Sequence, residues 1–146
     1  MKKSTTCHQT AVNLLTRREH SREELYQKLK IRNYCDDEIE NTLNNLQNRN
    51  LQSNKRFAEC YVRTRAEKGF GPLKIKFELI EKGIDRTLAN EVVNVNSSCW
   101  IEYLIKTHHK KFGAIIPHDP KEKNKQINYL TYKGFNLDQI KNLVIK

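Results

Sequence analysis

Glycine and proline are scarce in this chain, five and three among 146 residues. An all-β sandwich needs many tight turns, and linker-like or collagenous chains need far more of both residues, so all three classes are excluded. Long apolar runs are missing as well. No stretch approaches the roughly 18 residues that a membrane span requires. Met1-Lys2-Lys3 leads into Ser, Thr, His and Gln, not into the apolar segment of a signal peptide. The cysteines Cys7, Cys35, Cys60 and Cys99 lie 28, 25 and 39 residues apart, with no C-x-x-C pair. That spacing suggests neither a zinc ribbon nor a disulfide framework, and it fits reduced thiols in a cytoplasmic protein.

Acidic side chains are also few, 17 against 27 basic ones, which leaves a net charge of +10. The excess grows along the chain, from +2 over residues 1–54 to +3 over 55–96 and +5 over 97–146. A field of this sign favours a polyanionic partner, either nucleic acid or an acidic protein surface. An AT-rich genome would account for 18 Lys, 15 Asn and 12 Ile, but not for the shortage of Asp and Glu. Leu, Ile, Val and Phe supply 37 residues, enough to fold but with a thin core and a large surface.

What is present in abundance is repetition. Leu29-Lys-Ile-Arg32-Asn33-Tyr34, Leu79-Ile-Glu-Lys82-Gly83-Ile84 and Leu130-Thr-Tyr-Lys133-Gly134-Phe135 share one signature at steps of 50 and 51 residues. Each reads as a helix end: an apolar residue, a cation suited to the dipole, a left-handed cap, and an apolar residue that folds back. Asn33, Gly83 and Gly134 are the expected caps, since glycine and then asparagine best tolerate positive φ. Downstream, Asp36 or Asp37, Asp85 and Asn136 are expected to cap helices that bury Ile39, Leu43 and Leu46; Leu88, Val92 and Val93; and Ile140, Leu143 and Val144. Upstream, Ser21-Arg-Glu-Glu24 is a capping box, and Pro72 is a first-turn proline. Before these come Val12 to Leu15, then Phe57, Ala58, Tyr61 and Val62, then Trp100, Ile101, Leu104 and Ile105. The chain is therefore all-α, with three tandem three-helix units over 1–54, 55–96 and 97–146. Junctions at about 51–56 and 94–99 are polar and lack proline, which leaves room for bending. Lys110 to Asn124, with Gly113, Pro117 and Pro120, reads as an exposed basic loop.

No constellation supports catalysis. His8, His20, His108, His109 and His118 lack a ligand cluster and read as surface or loop histidines. Gly69-Phe-Gly71 is a helix-start turn, not a phosphate loop, because no strand precedes it and no G-x-x-G follows. No Ser or Cys has a recognisable nucleophile signature. The expectation is a non-enzyme with no metal and no cofactor. Aromatics such as Phe57, Tyr61, Phe77 and Trp100 lie at core spacing and read as core. The candidate partner contacts are basic: Arg17, Arg18, Arg56, Arg63, Arg65, Lys68, Lys74, Lys110 and Lys111. Residue by residue, a merely solvated charged face is the equal alternative.

Two longer patterns carry a resemblance. Ala11-x-x-Leu14-Leu15-x-Arg17-Arg18-Glu19-His20-Ser21-x-x-Glu24-Leu25-x-x-Lys28-Leu29 resembles the opening of the RecX family of bacterial recombination regulators. So does Arg56-Phe57-Ala58-x-x-Tyr61-Val62-Arg63-x-Arg65, followed by Lys68-Gly69-x-Gly71-Pro72-x-x-Ile75-x-x-Glu78-Leu79-x-x-Lys82-Gly83-Ile84. Tyr129-Leu130-x-x-x-Gly134-Phe135-x-x-x-x-Ile140 is similar to the family's last repeat. The chain departs from the family at Ser53-Asn54-Lys55, where acidic residues are usual, and at Thr131-Tyr132-Lys133, where arginines are usual. The resemblance implies an elongated, curved body of three repeats. It implies a monomeric regulator that binds RecA filaments on single-stranded DNA, with weak direct DNA binding, and that dampens ATP hydrolysis, strand exchange and co-protease activity. The alternative from the residues alone is a helical-repeat protein acting directly on nucleic acid.

Overall fold

A computed structural model describes residues 5–95 and 97–145. The Met1-Lys2-Lys3 start and Asn96, in the second junction, lie outside the described residues, as does Lys146. The described residues form helices α1 (Cys7–Arg17), α2 (Arg22–Ile31), α3 (Asp36–Asn48), α4 (Asn54–Glu67), α5 (Pro72–Glu81), α6 (Arg86–Val93), α7 (Cys99–Phe112), α8 (Pro120–Tyr132) and α9 (Leu137–Val144). No strand occurs among them.

The helices pack in threes. In the first unit Ala11, Leu14, Leu25, Leu29, Ile39, Leu43 and Leu46 converge, with Tyr34 folded back from the end of α2. The second and third units share one continuous apolar cluster, from Phe57, Ile75 and Leu79 through Trp100 and Leu104 to Leu130, Phe135 and Ile140. Trp100 ties the two together: its indole N–H donates to the carbonyls of Val93 at 2.9 Å and Asn94 at 3.1 Å.

The helix ends follow their local chemistry. Asn33, Gly83 and Gly134 have φ of 67°, 87° and 101°. Behind each, Tyr34, Ile84 and Phe135 donate their amides to Leu29, Leu79 and Leu130, five residues back, and bury their side chains. Ser21 and Glu24 form the reciprocal capping box, and Asp85 and Asn136 accept amides of α6 and α9. At α3 the cap is Cys35 and not an aspartate. Asp36 and Asp37 instead fill the first turn, where carboxylates favour the positive end of the dipole.

Four further readings are corrected. The exposed basic loop expected over 110–124 is shorter and is not basic: the connection runs over 113–119 and holds no Lys or Arg, the lysines of that stretch lying on α7 and α8. Gly113, at φ 82°, ends α7 after Lys110 and Lys111, and Asp119 with Pro120 starts α8. Phe77 is 63% exposed, because Ile75 and Leu79 point α5's buried face the other way. Ile101 is likewise exposed beside buried Trp100. His20 and His108 are buried, not on the surface. His20 accepts from Lys28 Nζ at 2.8 Å and donates through Nδ1 to Arg18 O at 3.1 Å, and His108 meets Gln126 Oε1 at 2.7 Å.

The units meet by one rule used twice. The C-terminal end of the middle helix in each unit docks on the N-terminal end of the middle helix in the unit before it. At the first seam the Ser21 hydroxyl donates to Lys82 O at 2.8 Å, and a Cβ on Gly83 would lie 2.5 Å from Glu23 Cβ. At the second, Gly71 N–H donates to Lys133 O at 2.7 Å and Leu73 N–H to Gly134 O at 2.9 Å. There a Cβ on Gly134 would run into Lys74. Each seam therefore sets a negative dipole end against a positive one and satisfies backbone groups that helix ends leave unpaired. The first junction is no open tether either. Gln52 is buried, donating to His20 O and Asn54, while Asn54 Oδ1 accepts the amide of Arg22.

Candidate functional site

The second seam gathers cations. Phe70, in the turn between α4 and α5, has the Arg65 guanidinium 3.7 Å and the Lys133 ammonium 3.8 Å from its ring centre, with Lys74 at 5.3 Å. Lys74 also lies 4.3 Å from the ring centre of Tyr132, and Lys111 5.2 Å from that of Tyr129. Such contacts hold a cation in place without neutralising it. Lys133 is pushed below the ordinary lysine range, first by burial and then by the charges of Lys74, Arg65 and Lys111. Beside this cluster a cleft of about 270 Å³ opens between the second and third units. Lys68, Lys106, Lys110, Lys111 and Lys133 line it, with Tyr103 and Tyr129.

The nine candidate cations separate into three groups. Lys68, Lys110 and Lys111 face the cleft, and Lys74 lies on its aromatic border. Arg18, Arg56 and Arg65 are bound within the fold. Arg18 pairs with Glu24 at 3.2 Å and Arg56 with Glu19 at 2.8 Å. Arg65 grips both oxygens of Glu78, at 3.0 and 2.8 Å. Arg17 and Arg63 are exposed and stand apart from the cleft; Arg63 lines a different hollow with Trp100, Glu59 and Glu91. Reasoning from sequence missed Lys106 and read Lys133 only as a helix-end cation. The signal for Lys106 was there: Lys106 and Lys110, and Thr107 and Lys111, are four-residue pairs on one face of α7.

Among the described residues no group of three or more His, Cys, Asp or Glu side chains is placed to hold a metal. No described helix is long and apolar enough to cross a membrane.

The architecture and its seam define a class: a tandem helical-repeat protein that presents positive charge where its repeats join. Family models for the first, second and third three-helix domains of RecX match residues 7–46, 53–93 and 101–144. The chain belongs to the RecX family of regulatory proteins. It is 39% identical over 136 residues to the regulatory protein RecX of Legionella pneumophila, covering 93% of this chain and 91% of that one. It is 36% identical to the RecX protein of Pseudomonas putida strain W619, covering 92% and 86%. The crystal structure of RecX from Lactobacillus salivarius superposes with a TM-score of 0.76 at 26% identity, over 95% of this chain and 92% of that one. A second RecX crystal structure gives a TM-score of 0.77 at 19% identity, over 95% and 70%, and shares the fold.

Proposed function

We propose that this protein binds RecA filaments assembled on single-stranded DNA and restrains RecA's ATPase, strand exchange and co-protease activity. It acts as a cytoplasmic monomer without catalysis or a cofactor of its own. One observation carries the reading: all three RecX repeats are present, in order, along a chain that spans about nine-tenths of its Legionella relative. The basic seam adds a surface suited to a filament that carries DNA. Of the candidate contacts, Arg17, Arg63, Lys68, Lys74, Lys110 and Lys111 remain available to a partner. Arg18, Arg56 and Arg65 act chiefly by holding the fold.

The test is capture of RecA from the same organism, with and without single-stranded DNA, together with RecA's DNA-dependent ATPase. Filament-dependent capture and ATPase slowing at substoichiometric protein are expected. No effect on RecA at any ratio overturns the reading. The uncompensated lysines at the second seam favour one alternative, direct action on nucleic acid. In that case binding to naked DNA would match filament binding under all conditions.

A further inference from the structure

The lysine cleft between the second and third units is electrostatically incomplete. Among the described residues, Lys68, Lys106, Lys110, Lys111 and Lys133 form no ion pair, whereas Arg18, Arg22, Lys30, Arg56, Arg65 and Lys82 each have a carboxylate. Glu67 is the one carboxylate lining the cleft. The bland explanation is that lysines collect where helices end, because α4, α7 and α8 all terminate here. Each helix end supplies only about half a negative charge. Three ends and Glu67 therefore offset about half of five ammonium groups. Lys106 stands more than one turn from the end of α7, beyond the reach of that dipole. Lys133 is half-buried as well, with Arg65, Lys74 and Lys111 adding to its repulsion. An anion relieves all of these at once.

The lining also says which part of a ligand is read. Tyr129 already faces the ammonium groups of Lys111 at 5.2 Å and Lys133 at 5.9 Å and packs edge-on against Phe112 at 5.3 Å. Its ring is committed, and Tyr103, the other aromatic of the lining, packs against the Trp100 ring at 5.6 Å, so neither is a free platform for a stacked base. We propose that this cleft is a binding site for closely spaced phosphates, recognised by charge and without regard to any base. The phosphates come either from a free polyphosphate such as a nucleoside triphosphate or from the backbone of a nucleic-acid strand. Occupancy also bears on the fold, because Lys133 O accepts the Gly71 amide of the seam. A bound anion draws α7 and α8 of the third unit toward α4 of the second.

The inference is independent of the RecA reading, and calorimetry on the full chain with inorganic tripolyphosphate tests it. One saturable site is expected, with equal affinity for ATP and GTP. Lys110→Glu with Lys111→Glu should weaken binding more than about tenfold, while Lys55→Glu with Lys141→Glu, an equal change of net charge at exposed positions elsewhere, should weaken it less than about threefold. Lys133→Met keeps the aliphatic stem and the backbone carbonyl, and should also weaken binding with the helical circular dichroism unchanged. Displacement of a bound oligothymidylate by tripolyphosphate would assign the phosphates to a strand; tripolyphosphate binding without displacement would assign them to free polyphosphates. Equal weakening by both charge-reversal pairs, a strong preference between bases, or no saturable binding overturns the proposal.

Discussion

Gly71 has an ordinary φ of −94°, so its backbone conformation does not call for glycine. What calls for it is the third unit. A Cβ there would lie 2.5 Å from the carbonyl carbon of Gly134 and from the amide of Phe135, neither of which can yield. Gly113 is the reverse case, at φ 82° with nothing within 4 Å of a built Cβ. Gly71→Ala should therefore cost about 2–3 kcal/mol by overpacking, whereas Gly113→Ala should cost about 1–3 kcal/mol through backbone strain alone, because φ 82° with ψ 179° is a conformation essentially reserved for glycine. Urea unfolding checks both values; a loss below about 1 kcal/mol in Gly71→Ala would mean that the second seam opens easily. His20 gives a pH-dependent counterpart. Burial lowers its pKa from 6.5, and the neighbouring charges of Arg18 and Lys28 lower it further. Below about pH 6.5 the unfolded chain takes up this proton and the folded chain resists it. Stability should therefore fall with acidification from that point until the lowered folded value is passed. His20→Gln, a neutral side chain able to accept from Lys28 and donate to Arg18 O, should flatten that part of the stability profile relative to wild type. Unchanged profiles would show that His20 is not the titrating group.

At the scale of elements, the helix ends were legible and the seams were not. The positive-φ turn at Asn33, Gly83 and Gly134 is local, since the backbone bonds that close it join residues five apart. The docking of α5 on α2 joins Ser21 to Lys82, 61 residues apart, and no periodicity reports such a pairing. The structure nonetheless explains a difference visible in the sequence. Gly83 and Gly134 are pressed against Glu23 and Lys74 of the unit before, whereas Asn33, in the first of the three described units, is exposed at the end of α2. Positive φ alone is required at Asn33, and asparagine suffices. The candidate site was half legible for the same reason. Lys68, Lys110 and Lys111 could be named as cations, but which arginines the fold consumes depends on Glu19, Glu24 and Glu78 in other elements. The seams also differ in kind. The first unit's core is separate, and polar bonds with two partly exposed ion pairs, Arg56–Glu19 and Lys82–Glu24, help join it to the second. Pairs of that sort contribute at most about 1 kcal/mol each. A unit of this size is marginal alone. It should open first, so helical circular dichroism should lose an early fraction in denaturant while the fluorescence of Trp100, buried in the shared core of the other two, stays native. Coincident midpoints would show that the first seam couples as tightly as the second.

Over the whole molecule, charge rises toward the C-terminal unit, and five lysines that form no ion pair among the described residues line one cleft at the second seam, so naked DNA and a protein filament should be held by different balances of force. Contact with phosphates alone releases counterions, and affinity then falls by orders of magnitude between low and moderate salt. Contact with a filament adds apolar and hydrogen-bonded protein surface, which salt screens far less. Exposed Leu73 and Phe77 lie one turn apart on α5, and exposed Tyr132 ends α8. They supply apolar area near the cations, the composition expected of a protein interface and not of a purely electrostatic one. Near-physiological salt should therefore abolish binding to naked DNA and leave filament binding largely intact, measured by anisotropy on labelled DNA with and without RecA. Charge reversal at Lys68, Lys110 and Lys111 should weaken both. Arg65 is excluded from that set because reversing it would break its Glu78 pair and disturb the fold as well as the surface. Phe77→Ser should weaken the filament complex alone, since no phosphate contact depends on a phenyl ring. Equal salt slopes for DNA and filament, or equal loss of both in Phe77→Ser, would favour direct action on nucleic acid over regulation of RecA.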